Sequence, residues 1–244
     1  MITKNSVLDN LKTLFYALII AIVIRSLLLQ PFYIPSSSME PNLLVGDRLF
    51  VTKYTYGYSK HSFPFSPNIF SGRFFFSEPK AGDVVVFKTP ADNRTDYIKR
   101  LIGLPGDEIQ FIDGELYINN NQILKTSIKS NEKIYCGSEE VKVNFFNEKL
   151  VNGKIYKSVY RSGYSFQNSD KFIVPEKHYF FLGDNRDCSK DSRFLSEVGY
   201  VHQDNLVGKA QFLFFSSDYT KGSIFKFWDW DKILRFNRFF KKIN

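Results

Sequence analysis

Ser38, in the run Ile34-Pro35-Ser36-Ser37-Ser38-Met39-Glu40-Pro41, and Lys99, in Asp96-Tyr97-Ile98-Lys99-Arg100, are two side chains that could together make a nucleophile. A serine hydroxyl is a weak nucleophile near neutrality and needs a base to take its proton. Lysine is ordinarily protonated there, and serves as that base only where apolar surroundings disfavour its charged form. Tyr97, Ile98, Leu101 and Ile102 make such surroundings, although strand alternation puts Lys99 and Leu101 on one face and Arg100 on the other. From these residues alone, Lys99 reads either as an activated base or as an ordinary solvated lysine. The chemistry at stake is attack on a carbonyl, with donors for the developing oxyanion and a proton for the leaving amine.

Other chemistries have less to stand on. His61, His178 and His202 lie far apart, with no His-Glu-x-x-His pattern, and none sits in a segment that looks like a site. No metal or other cofactor is expected. The two cysteines, Cys136 and Cys188, could pair once but cannot form a disulfide framework, and no functional disulfide is expected of them. Lys and Arg outnumber Asp and Glu by 33 to 25, a net charge of +8. That balance suits an anionic membrane surface better than nucleic acid, because the basic residues are scattered and no base-reading motif accompanies them.

The elements that must position Ser38 and Lys99 begin with a membrane segment. From Leu14 to Ile24 every residue is apolar or Tyr, and after Arg25 and Ser26 the run resumes as Leu27-Leu28-Leu29. A helix over 13–30 would be about 27 Å long, just enough for a bilayer core of about 30 Å, with Arg25 near the outer boundary where its side chain can snorkel. Pro31 is expected to stop it. Lys4 and Lys12, opposed only by Asp9, favour a cytoplasmic N-terminus over 1–12 and an outward-facing domain. A cleaved targeting peptide is the competing reading, but Arg25–Gln30 offers large residues where a small-x-small cleavage site is needed.

The rest, 31–218, reads as mainly β. Strands are expected at 49–54, 84–88, 97–104 and 177–182, with a last strand pair over 208–215. Asp113-Gly114, between Glu108–Ile112 and Glu115–Ile118, is the best hairpin signal in the chain. Residues 57–79 read as an irregular loop, and 125–171 as a polar cap or insertion without a site-like cluster. In 219–244, Trp230, Ile233, Phe236, Phe240 and Ile243 recur at helical spacing among Lys and Arg. That pattern predicts a cationic amphipathic helix, lying either on the bilayer or on the β core.

Four stretches carry a family resemblance. Pro35–Leu43 with Gly46-Asp47, Gly82–Phe87, Tyr97–Asp107 and Gly183–Arg193 resemble, in order, the conserved boxes of bacterial signal peptidase I, behind a similar N-terminal anchor. The resemblance implies a β-rich catalytic domain in which Ser38 attacks the scissile carbonyl and Lys99 is the general base. It implies that Ser36 joins the Ser38 N–H in holding the oxyanion, and that Ser189 hydrogen-bonds the lysine amine. Asp191 with Arg193, and Asp184 with Arg186, are then structural supports of the site, and Met39 packs below the nucleophile. Asn42, Ser37 and Cys188 depart from the family's usual residues. By the same resemblance, substrates are exported preproteins cut after small-x-small motifs at the outer face of the cytoplasmic membrane.

Ile34–Ser37 and Asp83–Val86 are the stretches expected to line the specificity pockets. Phe32, Tyr33, Ile34, Trp228 and Trp230 are expected as interfacial contacts, and the chain is expected to act as a monomer with membrane lipid as its other partner. Two competing readings are a dedicated processing protease for pilin or conjugation proteins, and a membrane-tethered binding protein without catalysis.

Overall fold

The structure is a computed structural model and describes residues 4–163, 165–222 and 226–243. The first three residues of the N-terminal segment, residue 164 of the cap, and 223–225 and 244 of the C-terminal segment lie outside the described residues. Helix α1 (Lys4–Val23) runs into a π-helical stretch, Ile24–Leu28. The apolar part, Leu8–Leu28, is 21 residues long, or about 31 Å at 1.5 Å per residue. Its large apolar side chains are exposed, with Leu14, Phe15 and Ile20 showing more than half their surface. They therefore lack protein partners, as a lipid-facing span requires. The helical stretch ends at Leu28, two residues earlier than expected. Pro31 does not stop it but lies in the next strand, β1 (Leu29–Tyr33), opposite Phe50. That strand is at a sheet edge, where a residue without an N–H costs no ladder bond.

Along the chain follow β2 (Asp47–Thr52), β3 (Val84–Lys88), β4 (Asp96–Gly103), β5 (Glu108–Ile112), β6 (Glu115–Ile118), β7 (Asn121–Gln122) and β8 (Leu124–Ile128). Then come β9 (Ile134–Cys136), β10 (Glu139–Val141), β11 (Val143–Lys149), β12 (Ile155–Arg161), β13 (Phe172–Ile173), β14 (His178–Leu182), β15 (Val201–His202) and β16 (Leu206–Ser216). The main sheet has the order β1-β2-β16-β3-β4-β14-β15. Its strands alternate between two cores: Ile34, Met39, Leu49, Val84 and Val86 fill one, and Tyr56, Val85, Phe87, Leu101 and Phe181 the other. β16 is one long strand rather than a strand pair. Register shifts let it bend and serve β2 along one part and β3 along another.

The β5–β6 hairpin forms as its sequence requires, with φ of 51° at Asp113 and 77° at Gly114. It packs through Ile109, Phe111 and Leu116 onto Phe180 and Leu182 of β14. The cap carries its own sheet, β12-β11-β8, and the β9–β10 hairpin.

Among the described residues no long C-terminal helix forms. A single turn, α2 (Trp230–Ile233), is flanked by 3-10 turns. The backbone beyond it bonds to β16, Leu213 N–H to the Lys241 carbonyl and Ile243 N–H to the Gln211 carbonyl, both at 2.8 Å. Two of the basic residues turn inward: Arg238 forks onto Asp47 at 2.6 and 3.1 Å, and Arg235 donates to the Val45 carbonyl at 2.8 Å. These ion pairs and ladder bonds hold the segment on the β core, which overrides the local helical spacing. Trp228 and Trp230 remain exposed.

Candidate active site

β14 pairs with β4 only from Arg100 onward, Leu182 opposite Arg100. The Asp96–Lys99 end of β4 is thus left open on that side while β3 holds the other. The 3-10 turn Ser37–Met39 meets β4 there. The turn is anchored by Met39, which is fully buried in the core with Ile34, Leu43 and Val86. From the other side the chain after β14 doubles back: the Asn185 N–H donates to the Ser38 carbonyl, and its amide to the Ser37 and Tyr135 carbonyls, all at 3.0–3.1 Å.

This packing brings Lys99 Nζ to 2.6 Å from Ser38 Oγ, with a second contact to the Ile98 carbonyl at 3.2 Å. Ser38 is 7% exposed and Lys99 4%. Burial lowers the Lys99 amine to about 8, against the opposing pull of Asp191 and Asp184. Burial penalises the charged ammonium, so the uncharged amine that can accept a proton becomes accessible around pH 8 instead of only well above it. Ser36 is exposed beside the pair, its Oγ 3.3 Å from that of Ser38.

Ser189 departs from expectation. Among the described residues its buried Oγ makes no hydrogen bond with Lys99 and lies toward the Asp191 carboxylate. It presses instead on Gly183, where an added Cβ would stand 2.2 Å from it and 2.6 Å from the Ser38 carbonyl oxygen.

Three buried ion pairs brace the site. Arg100 forks onto Asp184 with two bonds of 2.7 Å, and Asp184 also accepts the Asn42 amide at 2.7 Å. Arg193 forks onto Asp191 at 2.8 and 2.9 Å, and Asp191 accepts the Gly183 N–H. Burial pushes the Asp191 carboxyl up, but the Arg193 guanidinium outweighs it and holds the group below the usual range. Arg186 forks onto Glu148 and donates to the Gly183 carbonyl at 3.1 Å.

Glu148, in cap strand β11, had no visible signal in a region read as featureless. Arg100 and Asn185 lie inside the quoted boxes, but nothing local assigns them partners. Glu40, two residues past Ser38, is buried, accepts the Tyr135 N–H at 2.8 Å and is raised to about 7 by burial. Cys136 and Cys188, which could pair once but of which no functional disulfide was expected, form a disulfide. The β9 end of the cap, already braced on Ser37 and Glu40, brings Cys136 to Cys188 beside Ser189.

The pair opens into a cleft of about 560 Å³. Ile34, Pro35, Ser36 and Val86 line it as expected, together with Phe32, Tyr33, Ile98 and Cys188. Ser37 and Asp83–Val85 do not line it. Asp83 instead takes hydrogen bonds from Tyr56 and Lys209 at 2.9 and 2.7 Å.

A serine hydroxyl against a buried amine of lowered pKa, at the end of an open cleft, has the chemistry of a serine hydrolase. Comparison with known proteins narrows this. Residues 7–215 match the model of a family described as "Signal peptidase, peptidase S26". Signal peptidase I of Rickettsia typhi is 42% identical over 260 residues, covering 99% of this chain and 96% of its own. That of Rickettsia conorii is 42% identical over 248 residues, covering 93% and 90%. A solved signal peptidase I from Enterococcus faecalis V583 aligns with 55% of this chain and 97% of its own at 27% identity, with a TM-score of 0.31. The chain belongs to the peptidase S26 signal peptidase family, as a serine endopeptidase of the signal peptidase I type that removes signal peptides.

Proposed function

We propose that Ser38 is the nucleophile and Lys99 the general base, in a single-pass membrane enzyme whose catalytic domain faces outward. The observation that carries this reading is the 2.6 Å contact between Lys99 Nζ and Ser38 Oγ in a nearly dry pocket. The uncharged amine takes the hydroxyl proton as Ser38 Oγ attacks the scissile carbonyl, and returns it to the leaving amine. The Ser38 N–H, near the start of a 3-10 turn, lies outside the turn's own i→i+3 bond, which runs from the Glu40 N–H to the Ser37 carbonyl at 3.0 Å. That N–H and the Ser36 hydroxyl form the oxyanion site. Ser189 shapes the pocket by filling the space above Gly183.

An extended preprotein segment lies between the open Asp96–Ile98 edge of β4 and the Phe32–Ser36 chain, gaining backbone hydrogen bonds that ignore sequence. Ile34, Val86 and Ile98 form an apolar floor that suits small side chains near the cut. Ser38 is ten residues beyond Leu28, the end of the helical stretch. The nucleophile therefore stays near the membrane boundary, where a substrate tethered by its own hydrophobic segment is concentrated. The pair and its supports come from one chain, which supports action as a monomer.

The test is cleavage of a purified preprotein with an Ala-x-Ala site by the detergent-solubilised enzyme. Cleavage after that site by wild type, lost in Ser38→Ala with the fold retained, is the expected result. Equal cleavage by both proteins would refute the assignment.

A further inference from the structure

Where α1 enters the domain, a second buried lysine faces a small cavity that the peptidase chemistry does not use. Lys53 is 2% exposed, and among the described residues its ammonium donates only to the Ser62 carbonyl. The Lys53 N–H is bonded to the Leu28 carbonyl at 3.1 Å, and the Tyr58 hydroxyl donates to the Leu27 carbonyl at 2.9 Å. The cavity is therefore fixed to the end of the helical stretch.

It measures about 120 Å³, and its lining includes Arg25, Gln30, Lys53, His61, Lys88 and Asp96. Its one carboxylate, Asp96, is paired with Lys88 at 2.9 Å. Among the described residues neither Arg25 nor Lys53 has an ion pair. Burial and the nearby Arg25 charge push the Lys53 amine down to about 8, and burial with neighbouring cations pushes His61 down to about 4. Asp96 is the single carboxylate among Arg25, Lys53 and Lys88, so the cavity carries excess positive charge beside a buried ammonium, and an anion there would offset it.

Depth identifies the anion. Arg25 lies within the last turn of a span ending at Leu28, the level at which cationic side chains meet headgroups. The loop that carries His61 also presents Phe65, fully exposed, Ile69 at 76% and Phe75 at 86%. Such bare apolar side chains, tied by Tyr58 to the helix end, suit the acyl–headgroup boundary.

We propose that this cavity holds the phosphodiester of an outer-leaflet phospholipid, with Arg25 and Lys53 as its cationic ligands and Lys88 and His61 beside them. The inference rests on α1 spanning the bilayer and is independent of which side chains cleave the substrate.

Native mass spectrometry of the full chain released from non-ionic detergent, supplied with dioleoylphosphatidylglycerol or with inorganic phosphate, tests it. One retained lipid per chain is expected, falling at least fivefold in Arg25→Gln and in Lys53→Met but not in Lys171→Met, which alters an exposed lysine elsewhere. Inorganic phosphate at the same concentration is not retained. Arg25 is exposed, so its variant decides the matter if Lys53→Met does not fold. Equal retention by wild type and Arg25→Gln would overturn the site, and phosphate retained as well as lipid would overturn the lipid assignment. Lipid retention without preprotein cleavage supports the site while sinking the peptidase assignment of Ser38 and Lys99.

Discussion

Glu148 and Arg186 form a bidentate ion pair at 2.6 and 2.8 Å, with both side chains essentially out of solvent, and the pair joins the cap to the catalytic loop. The Tyr156, Ser158 and Tyr160 hydroxyls donate to the same carboxylate at 2.7–2.8 Å. Every lone pair that burial strips of water is thus given a partner. Arg186 in turn holds the Gly183 carbonyl, whose residue touches both Ser189 and the Ser38 backbone. The cap is therefore part of the site's framework.

Removing the carboxylate leaves a guanidinium buried and unpaired. Glu148→Ala is expected to lower stability by about 3–5 kcal/mol, the range for breaking one side of a buried pair. Denaturant unfolding of the purified enzyme measures it. A loss below about 1 kcal/mol would show that the cap and the catalytic loop do not depend on each other.

The amine of Lys99 gives the enzyme a pH signature. In the proposed mechanism the competent form is the uncharged one, and burial lowers the pKa to about 8, so kcat/KM is expected to fall about tenfold per unit as pH drops below 8 and to level off above it. Lys99→Ala is expected to reduce kcat by about 10²–10⁴-fold without unfolding, the usual weight of a lost general base. A flat profile from pH 6 to 9 in single-turnover cleavage would contradict the assignment.

Gly183 admits no side chain for reasons of space alone. Gly183→Ala would drive its methyl into Ser189 Oγ and the Ser38 carbonyl, displacing the backbone of the proposed nucleophile. A displacement on the ångström scale costs about a hundredfold in rate, so kcat is expected to fall by at least that much while circular dichroism stays native. Wild-type kcat in the variant would mean that the turn bearing Ser38 tolerates movement.

The Cys136–Cys188 disulfide closes a sequence separation of 52 residues and ends beside Ser189. Cys136→Ser is expected to lower stability by about 2–4 kcal/mol through the freed unfolded chain, and to lower kcat modestly by loosening the Ser189 segment. Dithiothreitol should shift the melting temperature of wild type in the same direction and leave the variant unchanged. An identical response of both proteins would show that the bond does not form in solution.

The local signals in the chain were strong and mostly sufficient. The β5–β6 hairpin was legible because Asp113 and Gly114 supply the left-handed geometry a two-residue turn demands. The apolar run behind α1 was legible because its length and lack of charge are properties of the local sequence, and the structure keeps it as an exposed helix long enough to cross a membrane. The strands around Val84–Lys88 and Lys99 were legible from short β-branched and aromatic runs. Where local pattern and long-range contact disagreed, contact won. The helical spacing after Trp230 gave way to ladder bonds with β16 and to the Arg238–Asp47 pair, and Pro31 entered an edge strand because β2 offered it a partner.

The sequence alone determined the candidates: a serine and a lysine in boxes resembling those of a known family, behind an apolar helix, with the neighbours of Lys99 leaving it open whether that lysine is buried. Only the tertiary structure decided that Lys99 is buried at hydrogen-bond distance from a residue sixty-one positions away, that Ser189 leans on Gly183 instead of the amine, and that Glu148 and Cys136 of the cap hold the catalytic loop. The reason is physical. Turns and spans depend on neighbours along the chain, whereas desolvation and buried pairing depend on which distant segments the folded sheet brings into contact.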